Sequence, residues 1–246
     1  MKQKINYLKS SIIFVVLASQ VAWGCKKDDN TNGSINDPIP TVGVNFNPNL
    51  TYGNVNDIDG NVYKTIKIDT HVWMAENLKT TRYRNGEQIP NVKDAAEWYN
   101  LTNSAYCDYN NDINNSKVYG RLYNYYTILD SRNVAPLGWH VATDYEWSEL
   151  IYYTENHILG LREAGTAHWK GSSEYQTNNS GFTALPGGGR LISWQKANYS
   201  LQGEFGYWWC SDNPAYPVVY EYWWAYGTSR TIENPKRGYS IRCVKD

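Results

Sequence analysis

The chain has 246 residues, a net charge of −1 from 23 basic and 24 acidic side chains, and an aromatic content of 22 Tyr and 11 Trp against 4 Phe. With no cationic excess to hold a phosphate backbone, the composition argues against nucleic-acid binding. Four Cys and 2 Met leave little material for a rich metal or redox centre, whereas Tyr and Trp, each with a polar handle, suit half-buried surfaces and recognition sites.

Lys2, Lys4 and Lys9 precede a short apolar run, SIIFVVLASQVA, from Ser11 to Ala22. It is too short for a membrane span and ends in small residues before a Cys, so residues 1–24 are expected to be a signal peptide. Ala22-Trp23-Gly24-Cys25 resembles a bacterial lipobox, and Lys26-Lys27-Asp28-Asp29-Asn30 resembles the start of many lipoproteins of Bacteroidetes-type bacteria. The resemblance implies lipidation of Cys25; the alternative is an ordinary secretory signal with an unrelated Cys. Cleavage before Cys25 removes three lysines and no acid, taking the net charge from −1 to −4. The lipid, not charge, would then hold the chain at the membrane. From Asn30 to about Tyr52 the sequence is rich in Asn, Pro, Gly and Thr and has no helical or strand period. Residues 25–52 thus read as a lipidated Cys with a flexible tether, and residues 53–246 as the folded domain.

Val55 to Ile68 reads as a β-hairpin turning at Asp59-Gly60, a dipeptide that permits positive φ. His71 to Leu78 is a further apolar segment. Asp94 to Tyr99 has the form of a short helix with Asp94 as its cap and Glu97 three residues on. Tyr119 to Leu129 reads as a helix with Leu122, Tyr125, Tyr126 and Leu129 on one face. Trp139-His140-Val141 reads as a strand. Thr143-Asp144-Tyr145-Glu146-Trp147 is a capping box opening a second helix, with Trp147, Leu150, Ile151 and Thr154 as its buried stripe. Gly187-Gly188-Gly189 reads as a tight bend. Short strands then follow at Trp194–Tyr199, Gly206–Cys210, Val218–Tyr226 and Tyr239–Val244. Strands, two helices and a run of strands give an α+β class.

Several stretches resemble one family in this order and spacing. They are Val72-Trp73-Met74-Ala75-Glu76-Asn77-Leu78-Lys79, Ala105-Tyr106-Cys107, Tyr109-Asn110-Asn111-Asp112 and Tyr119-Gly120-Arg121-Leu122-Tyr123-Asn124. Gly138-Trp139-His140-Val141, Thr143-Asp144 with Glu146-Trp147, Gly181 to Gly188 and Gly238 to Val244 complete the set. Together they resemble the Fibrobacter succinogenes major paralogous domain, found on secreted and lipid-anchored proteins of gut and environmental bacteria. Ala142 stands where that family usually has Pro, and Cys210 where it usually has Ser. Gly-Trp-His-Val-x-Thr-Asp-x-Glu-Trp and Ser-Ile-Arg-Cys-Val are more distantly similar to formylglycine-generating enzymes. That likeness implies a C-type-lectin-like fold, with two helices packed on twisted, mainly antiparallel sheets.

The chemistry of those enzymes needs a neighbouring Cys pair, whereas Cys210 and Cys243 stand 33 positions apart. His71, His140, His157 and His168 lack zinc spacing, and His140 reads as a structural imidazole. No nucleophile elbow or phosphate loop is present, so no catalytic residue and no cofactor are assigned. If Cys25 is acylated, Cys107, Cys210 and Cys243 remain in an oxidising compartment. Cys107 and Cys243 are the two that match the family, so the resemblance implies a Cys107–Cys243 disulfide, with Cys210–Cys243 as the rival. Asp108, Asn110 and Asp112 alternate like the opening of a calcium loop, although Ile113 and Tyr119 stand where such a loop needs Gly and an acid. Six Tyr and four Trp fall between Tyr199 and Tyr226. Trp208, Trp209 and Trp224 are expected in the core, and Tyr220, Glu221, Tyr222 and Trp223 are expected to offer an aromatic platform. The sequence thus predicts a non-catalytic, extracytoplasmic module, lipid-anchored to the outer membrane on its periplasmic or cell-surface face. Its expected partner is a glycan. A surface protein is the alternative, and an enzyme with altered chemistry the third reading.

Overall fold

Five strands form the main sheet. A computed structural model describes residues 43–154, 160–170, 177–212, 218–223 and 227–246, and at 218–223 and 227–228 its description is of the backbone. Strands β1 (Gly53–Asn56), β2 (Val62–Ile68) and β3 (His71–Met74) run in sequence, and the order closes as β1-β2-β3-β12-β6. Here β6 is Trp139–Val141 and β12 is Cys243–Lys245, and all pairings are antiparallel. The last strand thus enters between β3 and β6, in the same sheet as the β1–β2 hairpin.

That hairpin forms where expected, but its connection is Asp57–Asn61 and not a two-residue turn, because Asn56 pairs with Val62. Asp57 builds the loop: its carboxylate accepts from the backbone N–H groups of Asp59 and Asn61, both at 2.9 Å, and from Tyr63 Oη at 2.5 Å. Gly60 takes the positive φ, 81°.

Helix α1 (Ala95–Tyr99) is capped by Asp94, which accepts from Ala96 N and Glu97 N. The reading of residues 119–129 as one helix is corrected. Helix α2 (Ile113–Tyr119) ends at Gly120, Leu122–Tyr123 forms β5 with β4 (Tyr106–Cys107), and α3 (Tyr125–Leu129) starts afresh on the Asn124 cap. The helical spacing of apolar residues was real, but a glycine at φ 77°, ψ 179° leaves helical space altogether. Helix α4 (Asp144–Thr154) forms as read. Thr143 N and Oγ1 donate to Glu146 Oε2 at 2.8 and 2.9 Å, Glu146 N donates back to Thr143 Oγ1 at 3.1 Å, and Trp147, Leu150 and Thr154 are buried. The described residues therefore hold four α-helices and antiparallel sheets, a mixed α and β architecture with more helices than the two expected.

Strands β7 (Gly189–Ser193) and β8 (Lys196–Ser200) form a hairpin, and β9 (Phe205–Trp209), β10 (Val218–Trp223) and β11 (Gly227–Ile232) form a three-stranded sheet. The strand expected at Trp194–Tyr199 is shorter, since Trp194 and Gln195 make the turn with φ of 49° and 62°. The triple glycine is the tight bend expected: Gly188 sits at φ 61° against Ser200 O and Gln202 N. Part of the assigned tether also belongs to the folded unit. Phe46, Leu50 and Tyr52 pack on the core, and Asn45 N donates to Glu163 Oε1 at 2.6 Å.

One polar hub ties these layers together. The buried Arg242 guanidinium donates to Asn77 Oδ1 (2.6 Å), to Met74 O and Phe182 O (both 2.8 Å) and to Thr183 O (2.9 Å), and it lies 4.4 Å from the Phe182 ring centroid. Asn77 Oδ1 also accepts from Trp208 Nε1 at 2.8 Å, and Asn77 Nδ2 donates to Tyr119 O at 2.7 Å. Burial pulls the Arg242 guanidinium below its usual basicity, partly offset by Glu76. A second buried arginine, Arg190, donates to Val92 O, Lys93 O and Asp94 O and lies 4.5 Å from the Trp98 ring centroid. Backbone carbonyls that no ladder pairs are thus satisfied by guanidinium forks.

Candidate functional site

Helix α4 shows how this fold leaves aromatic rings in water. Its buried stripe and the capping box fix its rotation, and the residues between the stripe positions must then face outward. Those residues are tyrosines: Tyr145, Tyr152 and Tyr153 are 66%, 78% and 58% exposed. Glu149 lies among them, where its carboxylate raises the Tyr145 hydroxyl pKa, and it is 3.6 Å from His71 Nδ1. Elsewhere Trp194 stands at the tip of the β7–β8 hairpin, 95% exposed, in a turn that ordinarily selects Asn and Gly. A ring that could be buried with a gain of about 2 kcal/mol is instead displayed. Large amphipathic rings held in solvent have the chemistry of recognition groups.

Hollows lie elsewhere on the described surface. A cleft of about 320 Å³ is lined by Asn56, Asp57, Ile58, Arg84 and Val134–Leu137. Its charged groups serve the fold, Arg84 donating to Ala135 O, Pro136 O and Trp139 O and Asp57 organising its own loop. A recess of about 280 Å³ includes Asn103, Tyr126, Asp130 and Arg132. There Arg132 holds the Asp130 carboxyl well below its usual range through hydrogen bonds of 2.9 and 2.7 Å.

Two of the histidines, His140 and His168, are placed as structural groups. His140 bridges Glu146 Oε1 (2.8 Å) and Asp246 Oδ1 (2.7 Å). The Glu146 hydrogen bond raises its pKa to about 9 against the opposing effect of burial, with Asp246 adding to the rise. Burial raises the Glu146 carboxyl, but the His140 and Thr143 bonds outweigh it and leave the group below its ordinary value. His168 and Glu163 form a pair at 2.6 Å, sealed from solvent, where no substrate reaches. His157 lies outside the described residues.

The His140 bridge predicts a pH dependence. A histidine whose folded pKa is raised from 6.5 to about 9 stabilises the fold fully below pH 6.5, and that stabilisation is lost as pH rises through 9. Since the imidazole is about one-third exposed, screening reduces the effect to about 1 kcal/mol. Urea unfolding should find wild type more stable than His140→Gln at about pH 6, with the gap closing near pH 9.5.

The three described cysteines are buried free thiols. The Cys107–Cys243 bridge implied by the resemblance is not formed, because the two residues sit in different core clusters. Cys107 packs with Trp98 and Leu122, and Cys243 with Tyr63 and Tyr123. Burial pushes the Cys107 thiol up to about 11 against the opposing Arg190 charge, and raises Cys210 and Cys243 further. None is a poised nucleophile.

The oxygen groups of the calcium reading are engaged within the fold. Asp108 Oδ1 accepts from Ser116 Oγ (2.5 Å) and Arg121 Nε (3.2 Å), Asp112 caps α2 through Asn114 N (2.9 Å), and Asn110 is a turn residue at φ 53°.

Tyr220, Glu221, Tyr222 and Trp223 lie on β10, the central strand of the three-stranded sheet, opposite Trp208, Tyr207, Gly206 and Phe205 of β9. Their side chains, and Tyr216, Trp224 and Tyr226 entirely, lie outside the described residues, as does Cys25. Trp208 and Trp209 are core residues, as expected, and Tyr207 joins them, its ring 4.8 Å from that of Tyr239. Sequence reading passed over the exposed tyrosines of α4. The signal was present, because Tyr145, Glu149 and Tyr152 recur at the helical spacing opposite the buried stripe.

A family model described as the Fibrobacter succinogenes major domain matches residues 66–245. No curated protein and no solved structure matches the chain. Most of the stretches that carry this likeness are in the interior. Asn77, Tyr119, Ser240 and Arg242 belong to the hub, and Gly120, Gly181 and Gly188 occupy positive-φ positions against packed neighbours. Tyr145, Tyr152, Tyr153 and Trp194 fall outside those stretches.

Proposed function

The chain belongs to the Fibrobacter succinogenes major domain family, and we propose that it is a non-catalytic binding module whose ligand is an extracellular carbohydrate. One observation carries this reading: the described surface leaves Tyr145, Tyr152 and Tyr153 in water on α4 and Trp194 in water at the β7–β8 turn. Flat rings of this kind stack on the apolar faces of sugars, while the tyrosine hydroxyls meet sugar hydroxyls. The internal use of Glu146, Glu163, His140, His168 and the three thiols supports binding over catalysis. No cofactor enters this proposal.

The proposal includes the setting. Signal cleavage before Cys25 and lipidation of that residue would hold the domain at the outer membrane, on its periplasmic or cell-surface face. Among the described residues, no helix is long and apolar enough to cross a membrane. A C-type-lectin-like arrangement is part of the same reading, supported by β1 and β12 lying in one antiparallel sheet.

The test is binding of the full chain to a glycan array and to plant and host polysaccharides. Saturable binding without turnover is expected. Absence of glycan binding, together with a single crosslinked protein partner, would replace the carbohydrate with a surface protein, which exposed Tyr and Trp also suit. Turnover of any glycoside would contradict the non-catalytic assignment.

A further inference from the structure

Tyr145 and Tyr152 are seven residues apart on α4. Seven residues make nearly two turns, so the two side chains leave the helix within about 20° of one another and about 10.5 Å apart along the axis. Glu149 falls between them along the axis but about 40–60° round the helix, on the side where Tyr153 lies. The result is a straight aromatic track on a helix of 11 residues.

Each carboxylate of this helix has a neighbouring partner group. Asp144 pairs with Arg230 at 2.6 Å, Glu146 with His140 at 2.8 Å, and Glu149 lies 3.6 Å from His71. α4 carries no basic residue of its own. The track therefore complements neither a phosphate nor a polycation. It offers flat rings, phenol hydroxyls, a carboxylate and an imidazole, which together match a neutral ligand with apolar faces and many hydroxyls. Because the rings are spaced along one line, that ligand must be extended and repeat its chemistry along its length.

From this geometry we propose that the solvent face of α4 is a binding track for a linear, uncharged oligosaccharide lying along the helix axis. Tyr145 and Tyr152 stack on two separate sugar rings, and Glu149 and His71 take hydroxyls between them. This rests on the carbohydrate reading above and adds the site, the chain-like form and the neutrality of the ligand. A single sugar touches one tyrosine. A longer chain reaches both, and its second contact is intramolecular, so affinity should rise steeply once the ligand spans the track.

The experiment titrates the full chain with linear β-1,4-linked gluco- and xylo-oligosaccharides of increasing length, in wild type and in Tyr145→Ala/Tyr152→Ala. Both rings are exposed, so the variant should keep the wild-type melting temperature. Wild type should gain about tenfold or more in affinity when the ligand becomes long enough to span both rings, and the double variant should lose that gain. Tyr145→Phe and Tyr152→Phe should retain most of it, since stacking needs only the ring. If wild type binds these glycans and the double variant binds them equally well, the track is refuted while the carbohydrate reading stands. If wild type binds no glycan of the series or the wider array, both fail.

Discussion

Arg242→Leu is expected to destabilise the domain by about 3–5 kcal/mol, enough to leave a large share of the chain unfolded at ordinary temperature. Leucine fills part of the space but supplies no donor. Met74 O, Phe182 O and Thr183 O would lose the buried guanidinium they share, while Asn77 Oδ1 would keep only Trp208 Nε1. Each buried acceptor left without a donor costs about 1–3 kcal/mol. Arg242→Lys keeps the charge but replaces a planar fork with a single ammonium, which cannot serve carbonyls from two separate segments with the same geometry. It too should be strongly destabilised. Urea unfolding followed by tryptophan fluorescence reads both, and a midpoint unchanged in either variant would mean that the hub is not a stabilising element.

Gly120→Ala should be of similar severity for a different reason. At φ 77° and ψ 179° the residue lies in a region that essentially only glycine occupies. An added Cβ would come within 2.6 Å of Asn77 Cβ and 2.9 Å of Leu78 O. Strain of about 1–3 kcal/mol therefore adds to a clash against backbone and against the residue that centres the hub. Relief would require Asn77 to move, which would weaken its bonds to Arg242 and Trp208. The two substitutions share a partner, so Gly120→Ala combined with Arg242→Lys should cost less than the separate losses added together. Additive losses would show that the helix stop and the hub act independently.

Local chemistry was legible in the sequence and remote chemistry was not. The α4 capping box and the Asp94 cap involve residues within three positions of each other, and both formed as read. Residues 119–129 misled because the spacing of Leu122, Tyr125, Tyr126 and Leu129 is helical, while the outcome was decided by Gly120 and by the pairing of Leu122 with Cys107. The Trp194-Gln195 turn carries neither Gly nor Asn, so its composition gave no warning of positive φ. Arg242 and Asn77 lie 165 positions apart, and no periodicity connects them. The expected disulfide failed for the same kind of reason, since matching a family at two cysteines does not place them in one cluster. The binding candidate was half legible: the buried stripe of α4 was identified, and the tyrosines on its other side follow from the same wheel.

Most of the stretches that carry the family likeness build the interior, and the exposed rings of Tyr145 and Tyr152 lie between them. Tyrosine-ring NMR spectra of the full chain, recorded with increasing amounts of a linear β-1,4-linked oligosaccharide, test that division most directly. The account predicts saturable shifts in the rings of Tyr145 and Tyr152, with the buried rings of Tyr63, Tyr123 and Tyr239 unmoved. Shifts centred on the buried rings, or a spectrum unchanged by every saccharide tried, would contradict it.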